Sequence, residues 1–367
     1  MKIAIIGAGI SGLSCAYELS RLGLSPVIFE KTRQLGDKPG NLVAILRLFQ
    51  NTLSSPMDHI LKHYGLNISP LHPLKEMVVN TPNRTIRTKA NHGYVFAKGL
   101  QEYSLEHQIA SHAELKIIFE SCVDIRTVKN EFDYVVVATG NGDIARELGI
   151  WNTSFRSGVR IATVSGNFQA NTMTMWLNKK YSRNGYGYLI PKNPREAELA
   201  LAVSDVDKND VDFYWKIFLK EEKLNYKMLK INDINHQLGY PDFVKYDNLY
   251  FAGNSGGMMD NFLGFGVIRS IKSGILAARA IAGNLDYAGL LKPYIKEVNQ
   301  LNAYREMINV LTNRDYDMDL SILGLPGIKH LVYNNPLYKA KFGLLAPKLI
   351  YTYKTYKNKL HSKRPDT

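Results

Sequence analysis

Cysteine is scarce in this chain of 367 residues, which contains only Cys15 and Cys122. The two do not form a closely spaced pair, and both lie in segments whose hydrophobic pattern predicts burial. A disulfide framework and a thiolate metal site are therefore not expected, and no metal is predicted. The shortage of cysteine favours a reducing, cytoplasmic location.

Long apolar runs are also missing. No stretch approaches the roughly 18 uninterrupted apolar residues of a membrane-spanning helix. Residues 3–13 resemble the core of a signal peptide, but three glycines interrupt them and no clean cleavage site follows. With 45% hydrophobic and 22% charged residues, the composition is that of a globular protein. The length fits two interleaved domains and a terminal extension.

Acidic residues are few beside the basic ones. The chain has 46 Lys and Arg against 33 Asp and Glu, a net charge of +13, so its surface should attract anions. Much of the excess follows Tyr333, and residues 336–360 mix lysine with apolar and aromatic residues. That pattern is typical of a helix lying on a membrane surface, and a solvated helix bundle is the alternative. No nucleic-acid recognition motif accompanies the charge, so nucleic acid is not a predicted partner.

The N-terminus has the pattern of a nucleotide-binding βαβ unit. Residues 2–6 predict a buried strand, residues 13–23 a helix and residues 26–30 a second strand. The turn between the first strand and the helix reads Gly7-Ala8-Gly9-Ile10-Ser11-Gly12. Its first glycine permits the tight turn, the second lets the backbone approach a pyrophosphate, and the third lets helix and strand pack closely. The helix N-terminus then offers free N–H groups to phosphates.

An acidic residue ends the second strand of this unit. Glu30 follows Gly12 by 18 residues, where its carboxylate can accept hydrogen bonds from ribose hydroxyls and repel a 2′-phosphate. This favours FAD or NAD over NADP, and Lys31 beside it is included in the predicted site. The chain has no second complete Gly-x-Gly-x-x-Gly motif. A dedicated nicotinamide domain is therefore not predicted.

The remaining pattern predicts two sheets. Apolar runs at 115–119, 134–137 and 249–252 fit central strands of a parallel sheet, whereas alternation from residue 159 to 203 predicts an antiparallel sheet. The pattern of residues 32–53 predicts irregular structure. The predicted fold class is α/β, or α+β overall, with a Rossmann-type domain interleaved with an antiparallel-sheet substrate domain. The predicted domains are 1–75 with 93–158 and 240–285 for the nucleotide, 76–92 with 159–239 for the substrate, and 286–367 for a helical, basic C-terminal region.

Two later segments carry a family resemblance. Ala138-Thr139-Gly140 follows a buried strand, as in the strand-plus-Ala-Thr-Gly segment of flavoproteins. Gly253-Asn254, followed by Gly264-Phe265-Gly266 and a helix, resembles the segment that holds the flavin ribityl chain. The chain up to about residue 285 resembles the geranylgeranyl reductase family, whose wider group includes aromatic hydroxylases and flavin-dependent halogenases. The resemblance implies FAD as the cofactor, reduced by a transient nicotinamide nucleotide or a small electron carrier.

The chain departs from this family at several positions. Asn254 replaces the usual aspartate, Asn261 the usual proline, and Lys98 an arginine that contacts the cofactor. A neutral amide accepts a weaker hydrogen bond than a carboxylate. The family's cysteine has no counterpart between Gly36 and Asn41. The predicted cofactor-binding residues are Gly7, Ala8, Gly9, Ile10, Ser11, Gly12, Glu30, Lys31, Lys98, Ala138, Thr139, Gly140, Gly253, Asn254, Gly264, Phe265 and Gly266.

The substrate side is predicted from one segment. Residues 185–192 resemble the aromatic-x-aromatic-x-apolar-Pro segment that faces the flavin in geranylgeranyl reductases, whereas halogenases carry two tryptophans there. Alternation puts Tyr186 and Tyr188 on one face of a strand, with Pro191 at its end, so these residues are predicted to line the substrate site. Packing within an ordinary sheet is the alternative.

The resemblance implies an oxidoreductase that adds hydrogen across C=C bonds of an isoprenoid or other lipid substrate. A flavin-dependent monooxygenase, hydroxylase or halogenase is the alternative, and a non-catalytic flavin- or lipid-binding protein is a second. No catalytic residue is singled out, and Asp260, Tyr186 and His236 are the candidates for a proton donor. Contact with the inner membrane surface through the basic C-terminal region is compatible with a cytoplasmic location. The sequence does not predict an oligomeric state.

Overall fold

The computed structural model of the protein describes residues 1–37, 41–47 and 63–325. The basic segment after Tyr333 and part of the loop between Gly36 and Asn41 lie outside the described residues, and so do the predictions made for them. The strands are β1 (Ile3–Ile6), β2 (Val27–Phe29), β3 (Leu42–Leu46), β4 (His72–Thr81), β5 (Arg84–Ala97), β6 (Lys116–Ile118), β7 (Tyr134–Val137), β8 (Trp151–Ser165), β9 (Thr172–Trp176), β10 (Tyr186–Pro191), β11 (Glu196–Ser204), β12 (Lys227–Pro241), β13 (Lys245–Tyr246) and β14 (Leu249–Phe251). The α-helices are α1 (Ile10–Arg21), α2 (Leu105–Ala110), α3 (Ile125–Glu131), α4 (Asp143–Glu147), α5 (Lys179–Ser182), α6 (Val211–Glu221), α7 (Val267–Gly283), α8 (Tyr287–Val310) and α9 (Asn313–Leu323).

The first sheet has six strands in the order β13-β14-β7-β1-β2-β6. Apart from the short edge strand β13, neighbouring strands in it run parallel. Every residue of β1 is buried, because the strand lies in the middle of the sheet with core residues on both faces. A buried parallel strand reads as a continuous apolar run, which is why this sheet was predictable from the sequence.

Helices α1 and α7 pack closely beside this sheet. A Cβ atom on Gly274 of α7 would lie 2.1 Å from the backbone oxygen of Ser11 in α1, so only glycine permits this approach. Both helices bury most of their length. Their N-termini therefore sit at fixed positions on the same part of the molecule.

The second sheet has eight strands in the order β12-β8-β11-β10-β9-β4-β5-β3. Its neighbours are antiparallel except for β4 and β9, which run parallel. One face packs on α6 through a cluster that includes Trp176, Leu199 and Phe218. The predicted α/β class with a Rossmann-type sheet and a second, mainly antiparallel sheet is confirmed.

The sheets divide the chain at other places than the predicted domain boundaries. Residues 42–46, which the sequence pattern leaves in an irregular segment, form strand β3 and pair with β5. Residues 93–97 and 151–158 also pair in the second sheet rather than in the first. The reason is that β5 and β8 are long strands of 14 and 15 residues, and their partners are distant in sequence. The residues of a strand do not by themselves determine which sheet the strand joins.

The C-terminal part that the structure describes is helical, as predicted. Helix α8 carries a stripe of buried residues that includes Val298 and Leu301. Leu301 belongs to a cluster of buried hydrophobic residues in this part of the chain. Helix α9 begins with a capping box between Thr312 and Asp315. Among the helices of the described residues, none combines the length and hydropathy needed to span a membrane.

Candidate active site

A single cavity of about 530 Å³ is lined by residues from both sheets. The turn before α1 and the end of β7 line it on the side of the parallel sheet. Strands β3, β8, β9, β10 and β12 line it on the other side. The predicted site residues in its lining are Ala8, Gly9, Ile10, Ser11, Glu30, Lys98, Ala138, Thr139, Gly140, Tyr186, Tyr188, Asn254, Gly264, Phe265 and Gly266.

The glycines of the first turn have two different roles. A Cβ on Gly7 would lie 2.6 Å from the Ala138 oxygen, and one on Gly12 would lie 2.0 Å from the Gly7 oxygen. These two glycines are required by the protein's own packing, and neither lines the cavity. A Cβ on Gly9 would meet no protein atom within 4 Å, because this position faces open space. Gly9 therefore leaves room for a ligand.

Helix α1 begins at this open space. Its N-cap is Gly9, no side chain caps it, and no acidic residue lies in its first turn. The N–H groups at a helix start and the positive end of the helix dipole attract a phosphate. The open space, the uncapped helix and the absence of a Cβ together fit a pyrophosphate.

Glu30 lies at the same end of the cavity and is buried. One carboxylate oxygen accepts a hydrogen bond from the Ala8 N–H at 2.7 Å, and the other accepts from the Thr32 N–H and hydroxyl at 3.0 and 2.8 Å. These donors hold the carboxylate beside the turn, where it can accept from ribose hydroxyls. Lys31 is exposed and lies outside the cavity lining.

Lys98 brings a positive charge to the cavity lining. Its Nζ lies 4.0 Å from Glu106, a buried carboxylate that also accepts from the Gly99 N–H. His236 lines the same cavity on strand β12. Burial and the nearby charge of Lys98 lower the pKa of His236, so its imidazole is neutral at neutral pH. As a neutral ring His236 is a poor proton donor.

Another part of the cavity lining comes from the segment between β14 and α7. Asn254 lies in a 3₁₀ turn (Gly253–Gly256), and its Nδ2 donates to the Gly140 oxygen at 3.4 Å. A Cβ on Gly253 would lie 2.5 Å from Ser11 Oγ, so this glycine packs against α1 and does not line the cavity. Helix α7 has Gly266 as its N-cap and no side-chain cap. A second uncapped helix start therefore points at the cavity.

A buried ion pair holds this segment in place. Arg269 Nη2 lies 2.7 Å from Asp260 Oδ2, and both side chains are buried. The same arginine donates to the backbone oxygens of Met258 and Phe265, and Asp260 Oδ1 accepts from the Leu263 N–H at 2.9 Å. Asp260 was a candidate proton donor, but its carboxylate is engaged in fixing the loop. It does not line the cavity.

Two tyrosines on β10 line the cavity. The Tyr186 hydroxyl donates to the Leu263 oxygen at 2.6 Å, which ties the strand to the loop before α7. The Tyr188 hydroxyl donates to Glu198 Oε1 at 2.8 Å, and Glu198 Oε2 accepts from the Leu42 N–H at 2.6 Å. Burial raises the pKa of Glu198 to about 7, so this carboxyl changes protonation near neutral pH. Pro191 ends the strand outside the cavity lining.

Sequence reasoning missed most of the cavity wall. Its apolar part comes from strands that are distant in sequence, and it also contains two buried arginines, Arg269 on α7 and Arg305 on α8. Arg305 follows Val298 and Leu301 at helical spacing, so a charged residue on a buried stripe was the available signal. The missed apolar residues include Leu42, Ala44, Val159, Ile161, Met173, Met175, Ile190 and Ile234.

Comparisons with known proteins agree with this geometry. The model of the NAD(P)-binding Rossmann-like domain matches residues 5–40. The chain is 29% identical over 141 residues to methylenetetrahydrofolate–tRNA-(uracil-5-)-methyltransferase TrmFO of Lawsonia intracellularis, a match that covers 38% of this chain and 31% of that protein. It is 21% identical over 369 residues to digeranylgeranylglycerophospholipid reductase 3 of Methanosphaera stadtmanae, covering 90% and 92% of the two chains.

Solved structures share the whole architecture. A geranylgeranyl bacteriochlorophyll reductase-like protein from Thermoplasma acidophilum superposes with a TM-score of 0.74 at 14% identity, over 97% of this chain and 98% of the other. The flavin-dependent brominase Bmp2 superposes with a TM-score of 0.65 at 15% identity, over 98% and 99%. The chain therefore has the fold of FAD-dependent oxidoreductases of the geranylgeranyl reductase-like type, in agreement with the resemblance carried by its sequence motifs.

Proposed function

We propose that the protein adds hydrogen across C=C bonds of an isoprenoid or other lipid. The observation that carries the proposal is the cavity, because apolar residues of the second sheet and the uncapped start of α7 line the same space. An apolar chain would gain about 25 cal/mol for each Å² that it buries against such a wall. The whole-length likeness to a glycerophospholipid reductase supports the same substrate class.

The residues that would hold FAD follow from the site. The start of α1 and the space beside Gly9 would bind the pyrophosphate, and Glu30 would bind the adenosine ribose. Asn254 and the start of α7, which also line the cavity, would hold the flavin end of the cofactor. Reduced FAD supplies the hydride and both electrons of the addition when it is bound. A transient nicotinamide nucleotide or a small electron carrier would reduce it.

The addition also requires one proton, and we assign its source to Tyr188 and Glu198. Tyr188 lines the cavity, and its hydroxyl is joined to Glu198 by a 2.8 Å hydrogen bond. When Glu198 is protonated, its own proton can replace one that the phenol gives to the substrate carbon. The pKa of Glu198, raised by burial to about 7, suits such a proton store.

The test is an anaerobic reoxidation experiment. The purified protein is loaded with FAD, its absorption spectrum is recorded, and the flavin is reduced without oxygen. We expect addition of an isoprenoid lipid to restore the oxidised spectrum and to give a lipid product with two additional hydrogens. In deuterated water, the carbon that takes up the proton should carry deuterium, because the phenol proton exchanges with solvent.

The alternatives predict other results. A monooxygenase or halogenase would be reoxidised only after oxygen is admitted, with an oxygenated or halogenated product, and that outcome would reject the reductase. The tyrosines at 186 and 188, in place of the tryptophan pair of halogenases, argue against halogenation. A protein that takes up no FAD would be the non-catalytic alternative.

Contact between the basic segment after Tyr333 and a membrane surface stays a prediction. Liposome sedimentation of the protein with and without this segment tests it.

A further inference from the structure

Arg305 is a buried charge without a counter-ion. It lies near the end of helix α8, is 7% exposed and lines the cavity. Within the residues that the structure describes, no carboxylate lies within ion-pair distance of its guanidinium. Buried charges in proteins are usually paired, because removing an ion from water costs several kcal/mol. Burial lowers the pKa of Arg305, and the more distant carboxylate of Asp205 opposes this shift only in part.

The contacts of Arg305 are all neutral. Its Nη1 donates to the Asn184 oxygen at 2.7 Å, and its Nη2 donates to Ser204 Oγ at 2.6 Å. The guanidinium carbon lies 4.4 Å from the centre of the Phe155 ring. Nε is buried and has no hydrogen-bond partner. These contacts position the guanidinium but leave its charge and part of its donor capacity unused.

The surroundings of Arg305 contrast with its charge. The strands β8, β9, β10 and β12 line the same cavity as Arg305, mainly with aliphatic and methionine side chains. A wholly apolar ligand would leave the guanidinium uncompensated, and a small anion would leave the apolar wall without a partner. A ligand with both an acidic group and an apolar chain satisfies both parts.

We propose that Arg305 is the binding site for the acidic group of an amphipathic ligand, a phosphate or carboxylate attached to an apolar chain. A guanidinium offers such groups a planar set of donors and a full charge. The proposal rests on the proposed function in taking this ligand to be the lipid substrate. It assigns the ligand's polar end to the side of the cavity where α8 meets strands β8 and β11.

The test compares matched probes on the FAD-loaded full chain by titration calorimetry. Dodecyl phosphate, dodecanol and inorganic phosphate are titrated below the concentrations at which the amphiphiles aggregate. We expect dodecyl phosphate to bind at least about tenfold more tightly than dodecanol, as a desolvated charge pair warrants. Inorganic phosphate should bind far more weakly than dodecyl phosphate, because it lacks the apolar chain.

Variants test whether Arg305 causes the preference for dodecyl phosphate over dodecanol. Arg305→Met should bind both amphiphiles equally, and Arg305→Lys should keep part of the preference, because it retains the charge. Arg156→Gln is the matched control, since this exposed arginine is a neighbour of Phe155 and does not line the cavity. It should behave like the wild type. If Arg305→Met does not fold, the wild-type comparison and Arg305→Lys still decide the question.

Several outcomes would overturn the proposal. They are equal affinity of the wild type for dodecyl phosphate and dodecanol, a preference that survives in Arg305→Met, an equal loss in Arg156→Gln, and tight binding of inorganic phosphate alone. None of these measurements involves turnover. A protein that prefers the acidic amphiphile but shows no lipid-dependent reoxidation would refute the reductase alone, and the reverse pattern would refute the Arg305 site alone.

Discussion

The two ends of the cavity are built in different ways. At the nucleotide end, main-chain atoms pack so closely that Gly7 and Gly12 have no room for a Cβ, while Gly9 beside them faces open space. At the flavin and substrate end, side chains do the positioning, through the Arg269–Asp260 ion pair and the Tyr188–Glu198 hydrogen bond. We expect the first end to hold a ligand through its backbone and through the carboxylate of Glu30. The second end depends on buried charges. Because burying a charge is unfavourable, each one requires a ligand or a partner residue that offsets this free-energy cost.

This difference predicts that mutations will act differently at the two ends. A backbone site tolerates change only where space is open, and its dependence on pH is small. A site made from buried ionisable side chains is sensitive to the loss of either partner and to pH. The following experiments test that contrast, beginning with the largest expected effect.

Arg269→Met should be the most damaging of these changes. It leaves the Asp260 carboxylate buried and unpaired, which we expect to cost about 3–5 kcal/mol in the free energy of unfolding measured by urea denaturation. Arg279→Met is the control, because Arg279 is 37% exposed and its partner Glu18 keeps a second arginine, Arg21. The control should cost about 1 kcal/mol or less.

A double variant sharpens this result. Asp260→Asn in the Arg269→Met background should recover part of the lost stability, because the buried charge is then removed as well. If Arg269→Met were no more harmful than Arg279→Met, the flavin end would not depend on its buried ion pair, and the contrast between the ends would fail.

Gly12→Ala and Gly9→Ala should separate packing from ligand binding at the nucleotide end. The new Cβ of Gly12→Ala would lie 2.0 Å from a backbone oxygen, so we expect a loss of about 3 kcal/mol in stability even without FAD. Gly9→Ala adds a methyl group to open space, and it should leave the stability of the FAD-free protein unchanged.

The effect of Gly9→Ala should be on the cofactor. We expect the Kd for FAD, measured by flavin fluorescence, to rise about tenfold or more, because the methyl group occupies the space that a pyrophosphate needs. Unchanged FAD affinity in Gly9→Ala would show that the open space beside Gly9 is not where the cofactor binds.

Glu198→Gln should change how stability depends on pH. Burial raises the pKa of Glu198 from 4.5 to about 7, so the unfolded chain ionises this group at lower pH than the folded protein does. The stability associated with its protonation is complete below about pH 4.5 and is lost as pH rises through about 7. Between pH 5 and 8 the wild type should therefore lose about 2 kcal/mol more than Glu198→Gln.

The control for this change is Glu196→Gln, a partly exposed glutamate on the same strand that pairs with Lys192. Its stability should follow the wild type across the same pH range. Parallel curves for the wild type and Glu198→Gln would mean that Glu198 does not titrate near neutrality, and the proposed proton store would lose its basis.

The nucleotide end was predictable because its requirements are local in sequence. The strand, the glycine turn, the helix and the acidic residue all lie within the first 30 residues. Neighbouring main-chain atoms leave no room for a Cβ on Gly7 or Gly12, whereas Gly9 faces open space. The cavity lining includes Ala138-Thr139-Gly140 and Gly264-Phe265-Gly266, which the family resemblance had assigned to the cofactor. Of the substrate side, the sequence suggested only the tyrosines of β10.

The sequence by itself therefore determined the βαβ unit, the fold class and the resemblance to FAD-dependent oxidoreductases. Tertiary structure alone decided that residues 42–46 form a strand of the second sheet, that Glu198 lies beside Tyr188, and that Arg305 reaches the cavity. The physical reason is distance along the chain. Periodicity reports which face of a strand or helix is buried, whereas the identity of its neighbour depends on pairings between residues as far apart as Leu42 and Glu198.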